Sequence, residues 1–305
     1  MEKWTFIHYV RAMQNQASRT AEHVALFRAL ESSRRRNRLF VDSYAMKFLP
    51  AGYRWLVRLA RLPPVGHYIE GRIDKHWPAG PRASAVVRTR LIDDLLTEAL
   101  NQGAHQVVLL GAGYDSRAYR IPGMANVKVF EVDHPATQAT KQRLICAHVR
   151  PDRRTHVRFV PVDLVRDDLD AALQQAGFVP MERTVVIWEG VTNYLTAQAV
   201  DTTLRYLSAT TGRGSRIIFT YVDRAALDGS GTYSGVEEWH AVVREADEPW
   251  TFGFHPSELP EYLAERRLEL TVDLSAHDAA TRYLNPLGRD EPAAFFYRIA
   301  QAEVL

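Results

Sequence analysis

Apolar residues recur along this chain in two periods. From Ala83 to Asn101 they fall at four-residue spacing, Val87, Leu91, Leu95 and Ala99, with Val86, Ile92, Leu96 and Leu100 widening the stripe, which predicts a long helix. Beyond it come short apolar runs bounded by glycine and proline, at 107–111, 127–132, 157–162, 184–188 and 216–222. Val107 to Leu110 reads as a strand buried on both faces and the other runs as further strands, and the segments between them are long enough for crossover helices, among them Thr137 to Val149, Leu169 to Ala176 and Thr196 to Ser208. Leu268 to Leu274 and Ala293 to Ile299 predict two further strands, close enough in sequence to run antiparallel. The expected fold is α/β: a doubly wound, seven-stranded, mostly parallel sheet.

Residues 1–82 carry helical spacing and no strand alternation, with a helix from about Ala17 to Leu30 opening at Ser18 or Thr20, and proline and glycine breaks at Pro63, Pro64, Gly66, Pro78, Gly80 and Pro81. They read as a helical N-terminal arm or lid on a domain spanning 83–305. An irregular insertion around 223–256 is rich in aromatics, including Tyr233, Trp239, Trp250, Phe252 and Phe254. Trp239, Trp250, Phe252 and Phe254 fit either the core of that insertion or the wall of a pocket.

Composition narrows the partners. The 305 residues carry 38 basic and 36 acidic side chains, a net charge of +2, so no field selects nucleic acid or an anionic membrane. The run Arg34, Arg35, Arg36, Arg38 lacks aromatic interleaving and reads as a solvated helix end. Cys146 is the single cysteine, which excludes an intrachain disulfide and a cysteine-cluster metal site. No segment reaches the roughly 18 apolar residues of a membrane span, and Glu2, Lys3 and Arg11 interrupt the first residues. The expectation is a cytoplasmic protein, monomer or homodimer, with a small-molecule partner and no metal.

Chemistry concentrates at predicted strand ends, where doubly wound sheets bind ligands. Gly111 and Gly113 open a loop after the first strand, and Asp133 follows Gly111 by 22 positions, where dinucleotide folds place the acid for ribose hydroxyls. Ser116 stands where the third glycine of a dinucleotide fingerprint would be, and Pro122 and Gly123 cut the following helix short, which disfavours NAD. The strand ends carry Gly111, Asp133, Asp163, Glu189 and Asp223. Such an acidic rim repels phosphates and suits an amino group, ribose hydroxyls, an adenine N6 donor and a sulfonium, pointing to S-adenosyl-L-methionine. Its carboxylate needs a cation. Arg88 projects from the buried side of the long helix, where a guanidinium needs an anion unless it snorkels outward, while Arg90 can pair with Asp93 or Asp94 on the outer side. Asp115 and Arg117 read as a local pair that fixes the glycine loop.

The motifs SRTAEHVALFRALES (18–32), LFVDSYAMKF (39–48), VVRTRLIDD (86–94), LLGAGYDSRAYR (109–120), FEVDHP (130–135), VDL (162–164) and EGVTNYL (189–195), in that order, resemble the leucine carboxyl methyltransferase-like family of class I S-adenosylmethionine-dependent methyltransferases, in particular its bacterial branch with the tetracenomycin-type polyketide carboxyl O-methyltransferases. The resemblance implies that Arg88 holds the methionyl carboxylate, that Gly111, Ala112 and Gly113 pass beneath the methionyl and ribose part, and that Asp133 takes the ribose hydroxyls. It implies that Asp163 and Leu164 frame the adenine, that Glu189 faces the methionyl amino group, and that S-adenosyl-L-homocysteine is the product. Tyr194 lies where the family has a tyrosine near the acceptor and also fits a packing role; Asn193 departs from the apolar residue expected before it.

A carboxylate acceptor, with an ordinary pKa near about 4, is ionised at neutral pH and needs no general base, whereas a phenol near about 10 benefits from one. His240 and His255 are the candidate bases, each isolated in sequence. The reading is a carboxyl O-methyltransferase acting on an aromatic or polyketide acid. A phenolic O-methyltransferase, a protein C-terminal carboxyl methyltransferase, a non-catalytic cofactor-binding module and, most remotely, a nicotinamide dehydrogenase stay open.

Overall fold

A computed structural model describes residues 19–76, 80–164, 166–245 and 249–305. Ser18, the first 18 residues of the expected arm, and Pro78 lie outside the described residues. Helices α1 (Arg19–Ser33), α2 (Ala45–Phe48), α3 (Ala51–Ala60) and α4 (Pro63–His76) precede the long α5 (Pro81–Asn101). Then follow β1 (Gln106–Leu110), α6 (Arg117–Arg120), β2 (Lys128–Asp133), α7 (Pro135–His148), β3 (Val157–Pro161), α8 (Leu169–Gln175), β4 (Thr184–Trp188), α9 (Ala197–Thr210) and β5 (Arg216–Val222). The chain continues with α10 (Arg224–Leu227), α11 (Val236–Glu245), α12 (Leu259–Ala264), β6 (Leu268–Ser275), α13 (Ala276–Tyr283) and β7 (Tyr297–Val304).

The seven strands form one sheet in the order β3-β2-β1-β4-β5-β7-β6, parallel except for β7, which runs antiparallel to both β5 and β6. Strand order reverses between β1 and β4, so their carboxyl ends form the crevice where such sheets bind ligands. Two apolar layers hold the sheet. On one face Val107, Leu109, Val129, Val185 and Ile187 pack on Val87, Leu91 and Leu95 of α5; on the other Val108, Leu110, Phe130, Val132 and Trp188 pack on Leu173 of α8 and Val200, Leu204 and Leu207 of α9. Each fully buried aliphatic side chain contributes about 1.5–3 kcal/mol, which makes α5 the principal clamp on the first face.

The structure corrects three expectations. The last strand lies at Tyr297–Val304 rather than 293–299: it pairs with the whole of β5, from Val222 opposite Tyr297 to Arg216 opposite Glu303, and Arg298, Gln301 and Glu303 break its apolar run in sequence. The stretch 223–256 is not wholly irregular, since α10 and α11 lie within it. Short helices α12 and α13, which had no counterpart in the sequence reading, flank β6.

The N-terminal helices pack directly on the body. Ala25, Leu26, Ala29 and Leu30 of α1 share a core with Tyr44, Phe48 and with Tyr114 of the glycine loop. Ion pairs add to that contact: Glu31 to Arg289 at 2.8 Å, Arg34 to Glu291 at 3.1 Å and Asp74 of α4 to Arg82 of α5 at 2.6 Å. Among the described residues no helix is long and apolar enough to cross a membrane.

Candidate active site

The glycine loop leaves β1 at Gly111, whose φ of +73° is left-handed, and a Cβ there would come within 2.3 Å of Val191 Cγ2. Glycine is therefore required twice over at this position. Gly113, at φ +40°, is less confined: a Cβ would meet Ala21 Cβ at 3.6 Å. The amides of Gly111 and Ala112 both donate to the Val132 carbonyl at 2.9 Å, tying the loop to the end of β2. There Asp133 accepts from the Gly113 amide at 2.6 Å and from the His134 amide at 2.7 Å, one on each oxygen. Its half-buried carboxyl keeps lone pairs for a further donor. Burial outweighs those amides and nearby Lys141, and raises its pKa above the ordinary value.

On the other side of β1, Glu189 leaves β4 between two guanidinium groups. Arg88 Nε donates to Oε1 and Arg117 Nη1 to Oε2, each at 2.6 Å. Arg88 is 8% exposed, and among the described residues its guanidinium hydrogen-bonds through Nε. Burial alone would raise the Glu189 pKa, but Arg117 and Arg88 outweigh it and hold the carboxyl below its ordinary range.

Arg117 is the centre of a larger hub. It is 1% exposed and also pairs with Asp93 at 2.8 Å and Asp115 at 2.5 Å. Asp115 thus fixes the loop as expected, and burial is again outweighed, by Arg117 first, so its pKa lies far below the ordinary value. Arg120 binds Asp93 at 2.6 Å, and both Arg120 and Arg28 of α1 approach Asp42, at 3.7 and 3.4 Å. Asp42 caps α2 through the Tyr44 and Ala45 amides and accepts from Ser116 Oγ at 2.6 Å. Arg28 reaches the Tyr114 carbonyl at 2.5 Å. Guanidinium and carboxylate alternate from the N-terminal arm to the end of β4, so these buried charges compensate one another. Of the two outer-side partners the spacing allows Arg90, it takes Asp94, at 3.0 Å, while Asp93 turns inward and is buried.

Asp163 follows β3, its amide donating to Asp167 Oδ2 at 2.9 Å and its carboxylate 3.7 Å from Arg166 Nε. Leu164 packs on the apolar layer beneath α8 and α9. Tyr194 ends the turn after β4, with its amide bonded to the Val191 carbonyl at 3.0 Å. Asn193 in that turn is 1% exposed, and its carbonyl accepts from the Thr251 amide at 2.7 Å, which docks the insertion onto the end of β4. His240 of α11 lies edge-on to Trp250, ring centroids 5.4 Å apart. His255 opens the turn into α12, its carbonyl accepting from the Glu258 and Leu259 amides.

Tyr297 joins the two halves. The Arg88 guanidinium lies over its ring at 5.2 Å, Trp239 stacks on it at 5.9 Å with planes 14° apart, and its hydroxyl is 3.2 Å from Thr220 Oγ1, which accepts the Gly190 amide. Trp250 and Phe296 complete the aromatic cluster. Phe252 and Phe254 belong instead to the core beside α12, with Tyr262 and Tyr221. No cluster of His, Cys, Asp or Glu suited to a metal ion occurs among the described residues.

The rim thus pairs a guanidinium fork with a carboxylate at one end and a half-buried acid at the other, which complements an amino-acid zwitterion joined to a sugar. Comparison with known proteins agrees. A family model described as "Leucine carboxyl methyltransferase" matches residues 21–208. A Streptomyces avermitilis protein provisionally named an S-adenosyl-L-methionine-dependent methyltransferase is 38% identical over 212 residues, 70% of this chain and 71% of its own length. A Frankia alni protein of the same provisional name is 36% identical over 238 residues, 77% of this chain and 80% of its own. A crystal structure from Thermobifida fusca, provisionally named a methyltransferase, shares the fold at a TM-score of 0.56 and 15% identity, covering 91% of this chain and 94% of that one.

Proposed function

The chain belongs to the leucine carboxyl methyltransferase family and is an S-adenosylmethionine-dependent methyltransferase, and from that premise we propose that it forms methyl esters on a carboxylate of a small aromatic or polyketide acid. In this reading the terminal nitrogens of Arg88 grip the methionyl carboxylate and Glu189 meets the methionyl ammonium. Gly111, Ala112 and Gly113 run beneath the chain to the ribose, Asp133 accepts from the ribose hydroxyls, and Asp163 with Leu164 frames the adenine. The cofactor supplies an activated methyl on a sulfonium, which an ionised carboxylate oxygen displaces in line with no proton to hand off.

The observation that supports this acceptor is Tyr297. One ring touches both Arg88, at the methionyl end, and Trp239, in the aromatic cluster of the insertion. A planar acceptor stacked on that cluster would sit beside the reacting end of the cofactor, and α1, packed on the glycine loop, would serve as the lid that excludes water. His240 lies edge-on to the Trp250 ring, and an acceptor that is already ionised asks for no base from either His240 or His255. Tyr194 would border the acceptor through the turn that carries the insertion.

Matched acceptors test this. Aromatic skeletons bearing either a carboxyl or a hydroxyl group are incubated with S-adenosylmethionine, and products are identified by mass spectrometry before and after mild alkali. Esters, cleaved by alkali, are expected from the acids. Alkali-stable ethers from the phenols alone would replace this reading with phenolic O-methylation.

A further inference from the structure

The peptide linking Ala112 to Gly113 is one rigid plane, and the protein holds it from both sides. Its carbonyl oxygen accepts from Lys141 Nζ at 3.3 Å, and its N–H donates to Asp133 Oδ2 at 2.6 Å. Without a Cβ at Gly113, the loop itself does little to stop that plane from turning over. Lys141, on α7, is 1% exposed, and its ammonium lies 2.7 Å from Oε2 of Glu131, which is 0% exposed. Glu131 stands in mid-strand on β2, in register with Leu109 of β1 and Phe159 of β3. Gln138 Nε2 bonds the Glu131 carbonyl at 2.7 Å and fixes α7 against the strand.

An ion pair this deep is not explained by stability. Two apolar residues of similar volume usually serve the fold as well or better, because desolvating both charges offsets most of their attraction. What an apolar pair cannot do is donate to the Ala112 carbonyl. We propose that Lys141 is a positioning residue for the cofactor's ribose: anchored by Glu131, it fixes the 112–113 peptide, and the Gly113 amide then orients the Asp133 carboxylate toward the ribose hydroxyls. The proposal rests on the ribose role read for Asp133.

Calorimetric titration with S-adenosylhomocysteine and with its 2′-deoxy analogue tests it, alongside thermal melting, in the full-length protein. The apolar pair Glu131→Leu with Lys141→Met is expected to melt at or above the wild-type temperature. It should bind S-adenosylhomocysteine about tenfold or more weakly, the scale of a displaced charge-assisted hydrogen bond, and discriminate poorly against the analogue. A purely structural role would not move that discrimination. Added to Asp133→Ala, the pair should cause no further loss, since both act on one contact. If the apolar pair does not fold, Glu131→Gln with Lys141→Met is read in the same way. Wild-type affinity and discrimination in a folded pair variant, with Asp133→Ala weakened, would overturn the role of Lys141 alone. Wild-type binding by Asp133→Ala would overturn the ribose reading and this proposal together.

Discussion

The two ends of the candidate cofactor cleft lie on either side of β1 and are built by opposite means. At Glu189 the work falls to side-chain charges: Arg88 and Arg117 flank the carboxylate, and Arg117 carries Asp93 and Asp115 as well. At Asp133 it falls to the backbone, with two amides on the carboxylate and the loop hung from the Val132 carbonyl. The consequence is electrostatic. Burial raises the Asp133 pKa, whereas Arg117 and Arg88 outweigh burial at Glu189 and lower it. One end suits a charged amino-acid group, whose ammonium and carboxylate can share an existing ion pair; the other suits neutral hydroxyls, which need an acceptor in a fixed direction.

The severest way to break the contrast is Arg117→Met. It leaves Glu189, Asp93 and Asp115 without their shared cation, and a buried pair stripped of one partner costs about 3–5 kcal/mol; urea denaturation should show a loss on that scale. A loss below about 1 kcal/mol, the range of an exposed pair, would mean that the charged end is not held by the hub.

Glycine substitutions sharpen the backbone end. Gly111→Ala puts a methyl into Val191 at a positive φ, whereas Gly113→Ala makes ordinary contacts, to Ala21 Cβ at 3.6 Å and the Gly111 carbonyl at 3.9 Å. Gly113→Ala should cost about 1 kcal/mol of stability from left-handed strain alone, and Gly111→Ala clearly more, measured by thermal melting. Equal costs would mean that the Val191 contact relaxes freely.

The smallest effect separates the ends by pH. A carboxyl raised in the folded state binds its proton more readily there than in the unfolded chain, so acid neutralises Asp133 without loss of stability. The contribution of Glu189, present above its unfolded pKa, is lost only as pH falls through its lowered folded value. On acidification, S-adenosylhomocysteine affinity should therefore decline before the melting temperature does, and Asp133→Asn should remove that early decline. Simultaneous decline of both in the wild type would erase the distinction.

Much of this was legible in the sequence, for identifiable reasons. β1 to β5 fall within a residue or so of their apolar runs because the inner parallel strands are covered on both faces, while edge strand β3 still buries Val157 and Val160 alongside exposed Arg158 and Pro161. β7 slipped because, although most of it is buried, it carries Arg298, Gln301 and Glu303 among small residues. The rim acids could be found because strand ends are predictable in this topology. The hub could not: Arg117 and Asp93 lie 24 residues apart on different helices, and α5 is buried on all sides from Arg82 to Thr89, so its polar positions look like a solvent face when read by periodicity. Lys141 was hidden for the same reason, as a lysine on a helix whose pattern gives no sign that its ammonium lies inside.

The contrast is tested most directly by titrating wild type and Arg88→Met with two ligands, S-adenosylhomocysteine and 5′-methylthioadenosine, which lacks the amino-acid group. Arg88→Met is predicted to weaken S-adenosylhomocysteine by about 2 kcal/mol, the scale of a charge-assisted carboxylate contact, and to leave 5′-methylthioadenosine unchanged. Equal weakening of both ligands, or of neither, would contradict the assignment of the amino-acid group to Arg88 and Glu189.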